Sequence, residues 1–276
     1  MSIIDFSNKP ISILKNSSIS DAIRMLLNTK VSRLVVVDSG KHIGIITEKD
    51  IGLFLFSETS IQGLEDIPIT KIMKSIKFID KGITPKESAR IMIENGISSL
   101  AIGENEKVEG IFTKSDLIRF VAKNFPGKRR VMDFMTHDYE FTHTAAPLYK
   151  VVRKMLEKKI SRIIVKNQNE EAVGIISFRD LFRISIELGS EEDYSEFSIT
   201  DNIRHGFLSK EGFGNISLAR DIMTKGLITV KFNEDLAAAC EILLENNVSG
   251  LVVLDGNNGI SGILSKTDVT KALVSI

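Results

Sequence analysis

The sequence predicts an α+β protein made of four tandem repeats, each with the order β-α-β-β-α. Two observations support this fold class: one short motif occurs four times, and the hydrophobic pattern around each copy is the same. The motif is a glycine, two apolar residues, a hydroxyl residue, two variable residues and an aspartate. Its copies occupy residues 44–50, 110–116, 174–180 and 262–268.

Each element of the repeat has its own signal. A short extended segment comes first and contains Ile13, Ile79, Thr142 or Val230. An amphipathic helix follows, because apolar residues such as Ile19, Ala22 and Leu26 recur at helical spacing. Two strands joined by a turn, residues 39–40 in the first repeat, then predict a hairpin. The motif ends the second strand, and a second helix begins beyond it.

A single repeat is too small to enclose a core, so we expect the repeats to work in pairs. The predicted domains are 1–125, with repeats at about 8–60 and 70–125, and 126–276, with repeats at about 131–188 and 218–276. Proline and glycine within residues 124–127 interrupt the pattern and predict the boundary. The insert at 183–216 is expected to hold an extended helix and an irregular loop.

Composition excludes several classes of function. The 36 Lys and Arg residues balance the 36 Asp and Glu residues, so no net charge attracts nucleic acid or an anionic membrane. The basic residues 128–130 could contact nucleic acid or phosphate, but a solvated linker is the favoured interpretation. Cys240 is the single cysteine, no secretory leader is evident, and no apolar run approaches the roughly 20 residues that span a bilayer. We expect a cytoplasmic protein without a membrane segment.

No catalytic or metal-binding pattern stands out. The four histidines have no metal-ligand spacing with cysteine or acidic residues, and none pairs with a serine nucleophile: His42, His137, His143 and His205. We therefore expect no metal site and no enzyme activity, and a protein that binds rather than catalyses.

The four motifs in register resemble the cystathionine β-synthase (CBS) domain family. Three further elements strengthen the resemblance ahead of repeats two, three and four: Ile72-Met73-Lys74, Phe134-Met135-Thr136 and Ile222-Met223-Thr224. The resemblance covers nearly the whole chain, although repeat one lacks the methionine element. It implies that the repeats pair into two pseudo-twofold modules, whose clefts bind AMP, ADP, ATP or S-adenosylmethionine.

The resemblance also implies roles for individual residues. A carboxylate can accept hydrogen bonds from both ribose hydroxyls, so the implied ribose anchors are Asp50, Asp116, Asp180 and Asp268. Motif hydroxyls and helix-start amides would meet phosphate at Thr47, Thr113, Ser177 and Ser265. The residues implied to flank adenine are Ile13, Ile79 and Val230. Arg33 and Arg162 hold a position that can face the phosphates, whereas the even repeats carry Ser99 and Gly250.

Two of these roles have structural alternatives. A hydroxyl three residues before an acidic residue is also a capping box, which starts a helix without any ligand. Capping boxes prefer Glu or Gln, whereas all four copies carry Asp, so ligand contact is favoured while both roles remain compatible. Arg33 and Arg162 could equally be surface arginines that pair with a local carboxylate.

The sequence thus predicts a regulatory protein that binds adenine nucleotides and needs no further cofactor. The alternatives are a sensor of an S-adenosylmethionine-type ligand and a ligand-independent scaffold for protein interactions. A nucleic-acid-associated regulator is a more distant alternative, which the neutral charge disfavours. We expect two protein partners: a second copy of the chain in a homodimer, and a regulated protein that no motif identifies. Stacking of the two modules within one chain is the alternative to the homodimer.

Overall fold

The computed structural model describes residues 3–57, 63–104, 107–187 and 217–275. Four copies of one unit follow one another in these residues, each with two main helices and a three-stranded sheet, to which the third copy adds a fourth strand. The predicted α+β class and the β-α-β-β-α repeat are confirmed. Most of the insert predicted at 183–216 lies outside the described residues, from 188 onward.

The first two repeats have matching elements. Repeat one contains β1 (Ser12–Leu14), α1 (Ile19–Thr29), β2 (Arg33–Asp38), β3 (Lys41–Thr47) and α2 (Glu48–Ser57). Repeat two contains β4 (Phe78–Ile79), α3 (Pro85–Glu94), β5 (Ser99–Glu104), β6 (Lys107–Thr113) and α4 (Lys114–Asn124). Short 3-10 helices lie at Ile3–Phe6, Ile69–Lys71 and Val131–Asp133.

The last two repeats keep the same order. Repeat three contains β7 (Phe141–His143), α5 (Leu148–Glu157), β8 (Arg162–Lys166), β9 (Ala172–Ser177) and α6 (Phe178–Glu187). A short helix α7 (Ala219–Ile222) and strand β10 (Thr224–Lys225) follow. Repeat four contains β11 (Thr229–Lys231), α8 (Leu236–Glu245), β12 (Gly250–Leu254), β13 (Ile260–Ser265) and α9 (Lys266–Ser275).

Repeat one shows how the sequence produces the unit. β1 is parallel to β2, and β2 is antiparallel to β3 across the hairpin. The parallel pair needs a crossover, which α1 supplies. α1 buries Ile19, Ala22 and Leu26, which share one helix face, against Leu34 of β2 and Ile46 of β3. The repeat therefore buries its periodic apolar residues in one core.

The chain divides into two compact units that each combine alternate repeats. The odd unit, residues 11–75 and 140–226, holds repeats one and three. The even unit, residues 1–10, 76–139 and 227–276, holds repeats two and four. The predicted domains, 1–125 and 126–276, pair consecutive repeats, whereas these units pair alternate repeats. The pairing of consecutive repeats into modules stays a prediction.

Helix packing is the physical reason for the alternate grouping. In the odd unit α2 packs against α6, and in the even unit α4 packs against α8 and α9. Gly52 lies where α2 meets α6, and a Cβ at this position would come 2.9 Å from the carbonyl oxygen of Phe178. The bare backbone at Gly52 allows the close approach of the two helices. Each unit accordingly has one hydrophobic core shared by its two repeats.

Candidate functional site

The four motifs place an aspartate in the first turn of the second helix of each repeat. One carboxylate oxygen, Oδ2, accepts the backbone N–H of the motif hydroxyl residue in every copy. The N to Oδ2 distances are 3.0 Å for Thr47, 2.7 Å for Thr113, 2.7 Å for Ser177 and 2.8 Å for Ser265. The hydroxyl of the same residue donates to the same Oδ2. Each motif is therefore built as a helix cap, and the capping interpretation describes its local geometry.

Capping with aspartate also occurs away from the motifs. At the start of α1, Ser18 N donates to Asp21 Oδ2 at 3.0 Å, and Asp21 N donates to Ser18 Oγ at 3.1 Å. Asp133 and Asp221 accept the N–H of the residue three positions earlier in the same way. The presence of Asp instead of Glu therefore does not by itself separate a binding motif from a cap.

Burial is what distinguishes the motif aspartates. Among the described residues these four are the only charged residues that are buried. Their exposed fractions are 7 % for Asp50, 1 % for Asp116, 5 % for Asp180 and 7 % for Asp268, whereas the side chain of Asp21 is 51 % exposed. A buried carboxylate is costly unless its oxygens are well hydrogen-bonded. The second oxygen, Oδ1, therefore needs donors of its own.

Those donors come from four short stretches of chain that we call the crossing segments: residues 7–8, 73–74, 135–136 and 223–224. Each forms backbone bridges to the strand that carries a motif glycine, through the pairs Asn8–Ile111, Lys74–Ile45, Thr136–Ile263 and Thr224–Ile175. The Lys74 pair, for example, has N to O distances of 3.0 and 2.9 Å. The crossing segments thus lie directly beside the four motifs.

One side chain of each crossing segment contacts Oδ1 of the motif aspartate. Lys74 Nζ forms an ion pair with Asp50, Asn8 Nδ2 lies 3.4 Å from Asp116, Thr224 Oγ1 lies 2.8 Å from Asp180 and Thr136 Oγ1 lies 3.3 Å from Asp268. Arg119 Nη1 also donates to Asp116, at 2.7 Å. Each carboxylate therefore joins a helix start to a crossing segment.

The motif glycines make room for the crossing segments. A Cβ on Gly174 would lie 2.7 Å from the carbonyl oxygen of Thr224, and one on Gly262 would lie 2.5 Å from that of Thr136. On Gly44 it would lie 2.4 Å from Met73 Sδ, and on Gly110 2.6 Å from Ser7 Oγ. A side chain at Gly174 or Gly262 would push the backbone of the crossing segment away, whereas at Gly44 or Gly110 it would first displace a side chain of that segment.

The structure places the other predicted site residues in two settings. Ile13, Ile79 and Val230 are buried in the hydrophobic cores, so their predicted contact with adenine remains a prediction. Arg33 pairs with Thr47 in the β2–β3 ladder, and Arg162 pairs with Ser177 in the β8–β9 ladder. Directly opposed residues have neighbouring side chains, so both arginines lie next to a motif hydroxyl.

The predicted use of helix-start amides for phosphate has a structural limit. The first helical N–H donates to a backbone carbonyl in three repeats: Glu48 to Ser32, Lys114 to Ser98 and Lys266 to Ser249, at 3.1 Å each. These amides are engaged within the fold. The motif hydroxyls also donate within the fold, to Oδ2 of their aspartates, so the contact of these amides and hydroxyls with phosphate remains a prediction.

The variable motif residues connect the two motifs of each unit. In the odd unit Arg179 Nε donates to Glu48 Oε2 at 2.8 Å. In the even unit Lys114 Nζ lies 3.0 Å from Thr267 Oγ1, and Lys266 Nζ lies 2.9 Å from Ser115 Oγ. A change at one motif can therefore reach the other motif of the unit through a direct contact.

Sequence reasoning missed the site role of the crossing residues. The repeated methionine elements at 72–74, 134–136 and 222–224 were the signal, because each ends in the residue that contacts a motif aspartate. Asn8 had no such signal. Among the described residues, no group of His, Cys, Asp and Glu could hold a metal ion. None of the described helices has the length and apolar character needed to cross a bilayer.

Comparison with known proteins identifies the family. The CBS domain model matches residues 3–55, 64–123, 131–187 and 219–275, so the chain belongs to the CBS domain family, as the motifs predicted. Protein MJ1225 of Methanocaldococcus jannaschii is 25% identical in an alignment of 285 positions that covers 96% of this chain and 95% of that protein. Its crystal structure, described as a proposed archaeal homologue of γ-AMPK, covers 99% of both chains with 22% identity and a TM-score of 0.81, and shows the same fold.

Two shorter relatives were crystallised with adenosine compounds. The chloroplastic protein CBSX2 of Arabidopsis thaliana is 30% identical over 164 residues, 56% of this chain and 67% of that protein. A crystal structure of CBSX2 in complex with AMP covers 53% of this chain and 96% of that chain, with 24% identity and a TM-score of 0.38. The CBS domain pair of MJ0100, in complex with 5′-methylthioadenosine and S-adenosyl-L-methionine, covers 53% and 97% with 16% identity and a TM-score of 0.41.

Proposed function

We propose that this chain is a regulatory protein that binds AMP, ADP or ATP, with the motif aspartates as ribose anchors. The observation that carries the proposal is that these four carboxylates are the only buried charged groups of the described residues. They occupy one position in four repeats, beside a hydroxyl that can meet phosphate. Capping alone does not require this burial, because Asp21 caps α1 at the protein surface.

The carboxylate of Asp268 retains capacity for a ligand. A carboxylate offers about four acceptor sites. Asp268 accepts two bonds from Ser265 and one from Thr136, which leaves about one site for a ribose hydroxyl. A second ribose hydroxyl can bind when Thr136 turns its hydroxyl away. The diol of an adenosyl ligand therefore matches what the motif can still accept.

Regulation follows from the contacts between motifs. In the odd unit the two helix starts are in contact through Glu48 and Arg179. In the even unit Lys114 contacts Thr267, and Lys266 contacts Ser115. A ligand that prefers one arrangement of these residues shifts the population toward that arrangement. We expect this change of arrangement to be recognised by a protein partner. We also expect the chain to bind its ligand without catalysing a reaction, and to form a homodimer.

Isothermal titration calorimetry of aspartate variants tests the proposal. Asp50→Ala and Asp180→Ala each remove a charged acceptor, and we expect AMP affinity at the altered repeat to fall by on the order of 1.5–3 kcal/mol, or roughly 10- to 150-fold. Asp21→Ala is the matched control, because it removes the same kind of capping contact outside the motifs. The proposal fails if folded Asp50→Ala and Asp180→Ala proteins bind AMP as tightly as the Asp21→Ala protein.

A ligand-independent scaffold is the second candidate function. It is favoured by the observation that every motif aspartate already has hydrogen-bond partners within the fold. An S-adenosylmethionine-type ligand is the further alternative within adenosyl binding. Titration with AMP, ATP and S-adenosylmethionine in parallel separates the three: a scaffold binds none of them, and the preferred ligand identifies the class of sensor.

A further inference from the structure

We propose that the crossing residue sets the ligand preference of its repeat. Lys74 makes repeat one select phosphorylated nucleotides over uncharged nucleosides, and Thr136 makes repeat four tolerate uncharged nucleosides. This inference rests on the proposed function, which it deepens by assigning different ligand classes to two of the four repeats.

Repeats one and four have the same carboxylate geometry but different crossing residues. Oδ2 accepts the amide of the motif hydroxyl residue at 3.0 Å in repeat one and at 2.8 Å in repeat four. At Oδ1, repeat one has the ammonium group of Lys74 and repeat four has the hydroxyl of Thr136. Asp50 and Asp268 are equally buried, with 7 % exposed. The crossing residue is therefore the main difference at the carboxylate.

An ammonium group and a hydroxyl respond differently to a bound ribose. Asp50 accepts two bonds from Thr47 and one contact from Lys74, so the second of two ribose hydroxyls displaces Lys74 Nζ from its anion. The side chain of Lys74 is 64 % exposed and has a flexible stem, so it can turn toward a phosphate of the same ligand. Adenosine offers no such anion, and the lost ion pair is not replaced. Thr136 loses no ion pair when it moves, because a hydroxyl is uncharged and can also accept a bond.

The residue opposite the motif hydroxyl supports the same assignment independently. In the hairpin ladder Arg33 is opposite Thr47 in repeat one, whereas Gly250 is opposite Ser265 in repeat four. Repeat one therefore carries a cation both beside its carboxylate and opposite its motif hydroxyl, and repeat four carries none at these two positions. A guanidinium recognises phosphate with paired donors, so both positions of repeat one favour an anionic ligand.

Residue-resolved NMR titration of the whole chain tests the inference. The backbone amides of Thr47 and Ser265 donate to the two carboxylates and report binding at repeats one and four separately. Wild-type protein is titrated with adenosine and, separately, with AMP. We expect the ratio of AMP affinity to adenosine affinity to be higher at Thr47 than at Ser265.

Reciprocal variants exchange the crossing residues. Lys74→Thr should lower the affinity ratio at Thr47 by about fivefold, the upper range for an exposed ion pair. Thr136→Lys should raise the ratio at Ser265 by a similar factor. Lys71→Thr is the matched control, because it removes the same charge three residues earlier on the same stretch of chain, and should leave both ratios unchanged.

The outcomes separate the inference from the proposed function. Equal ratios at Thr47 and Ser265 in the wild-type protein, or equal effects of Lys74→Thr and Lys71→Thr, overturn the inference and leave nucleotide binding intact. If one exchange variant does not fold, the other still decides the result. Absence of any shift with both ligands overturns the proposed function and the inference together.

Discussion

Alanine at Gly262 would test whether a crossing segment requires bare backbone at the motif glycine. A Cβ there would lie 2.5 Å from the carbonyl oxygen of Thr136 and 3.4 Å from the Cα of His137. Both are backbone atoms, so rotation of a side chain cannot relieve the clash. We expect the crossing segment at 135–136 to move away from β13.

The cost follows from the bonds that this movement breaks. Thr136 N donates to Ile263 O, and Ile263 N donates to Thr136 O, both at 2.9 Å. With the bond from Thr136 Oγ1 to Asp268, three hydrogen bonds are lost, each contributing about 1 kcal/mol. Alanine also restricts the unfolded chain more than glycine does, and this effect offsets roughly 0.4–1 kcal/mol of the lost stability. We therefore expect Gly262→Ala to lower the free energy of unfolding by about 2 kcal/mol.

Urea unfolding followed by circular dichroism measures this change against Gly256→Ala. Gly256 lies in the turn of the same hairpin, and a Cβ there would meet no atom within 4 Å. The control should be neutral or slightly stabilising. Unfolding free energies of the two variants that agree to about 0.5 kcal/mol would refute the steric account of the motif glycine.

Two further predictions concern single side chains in α8 and at the start of α1. Burial, with smaller effects of Asp235 and Glu241, raises the pKa of Cys240 to about 12, so a thiol reagent at pH 8 should label this cysteine only after unfolding. The free energy of unfolding should fall above about pH 9, because the thiol then loses its proton in the unfolded chain and keeps it in the native protein. Ser18→Ala should lower the free energy of unfolding by about 1 kcal/mol, because it removes the cap of α1. Hydrogen bonds from the backbone and hydroxyl of Ser18 lower the pKa of Asp21, so part of this stability difference should disappear below the usual aspartate pKa. Urea unfolding of the wild-type and Ser18→Ala proteins at pH 7 and at pH 3 measures this change.

The repeat could be predicted from sequence because its signals are local. Helix periodicity, the hairpin turn and the motif all lie within a few dozen residues, and burial of Ile19, Ala22 and Leu26 follows directly from that periodicity. The start of the second helix after Thr47 was likewise marked by the spacing of hydroxyl and aspartate.

The pairing of Asp116 and Asp268 with their crossing residues could not be predicted, because these partners are distant in sequence. Asn8 contacts Asp116 across 108 residues, and Thr136 contacts Asp268 across 132 residues. Both contacts join segments of the even unit, whose repeats are not consecutive in the chain. The order of the repeats along the chain suggests that consecutive repeats pair, whereas helix packing groups alternate repeats. No local sequence pattern distinguishes these two arrangements.

The burial of the motif aspartates links fold stability to the proposed ligand binding. The crossing segment covers the carboxylate and supplies the donor to Oδ1, so Asp50 holds residues 73–74 against β3. The same residues lead along the chain into β4 of repeat two. A ribose that takes over Oδ1 must compete with Lys74, and any ligand that does so favours a different position of the crossing segment. Under the proposed function the carboxylate of Asp50 holds both the ribose and the crossing segment, so we expect a ligand in repeat one to change the position of residues 73–74 beside β3.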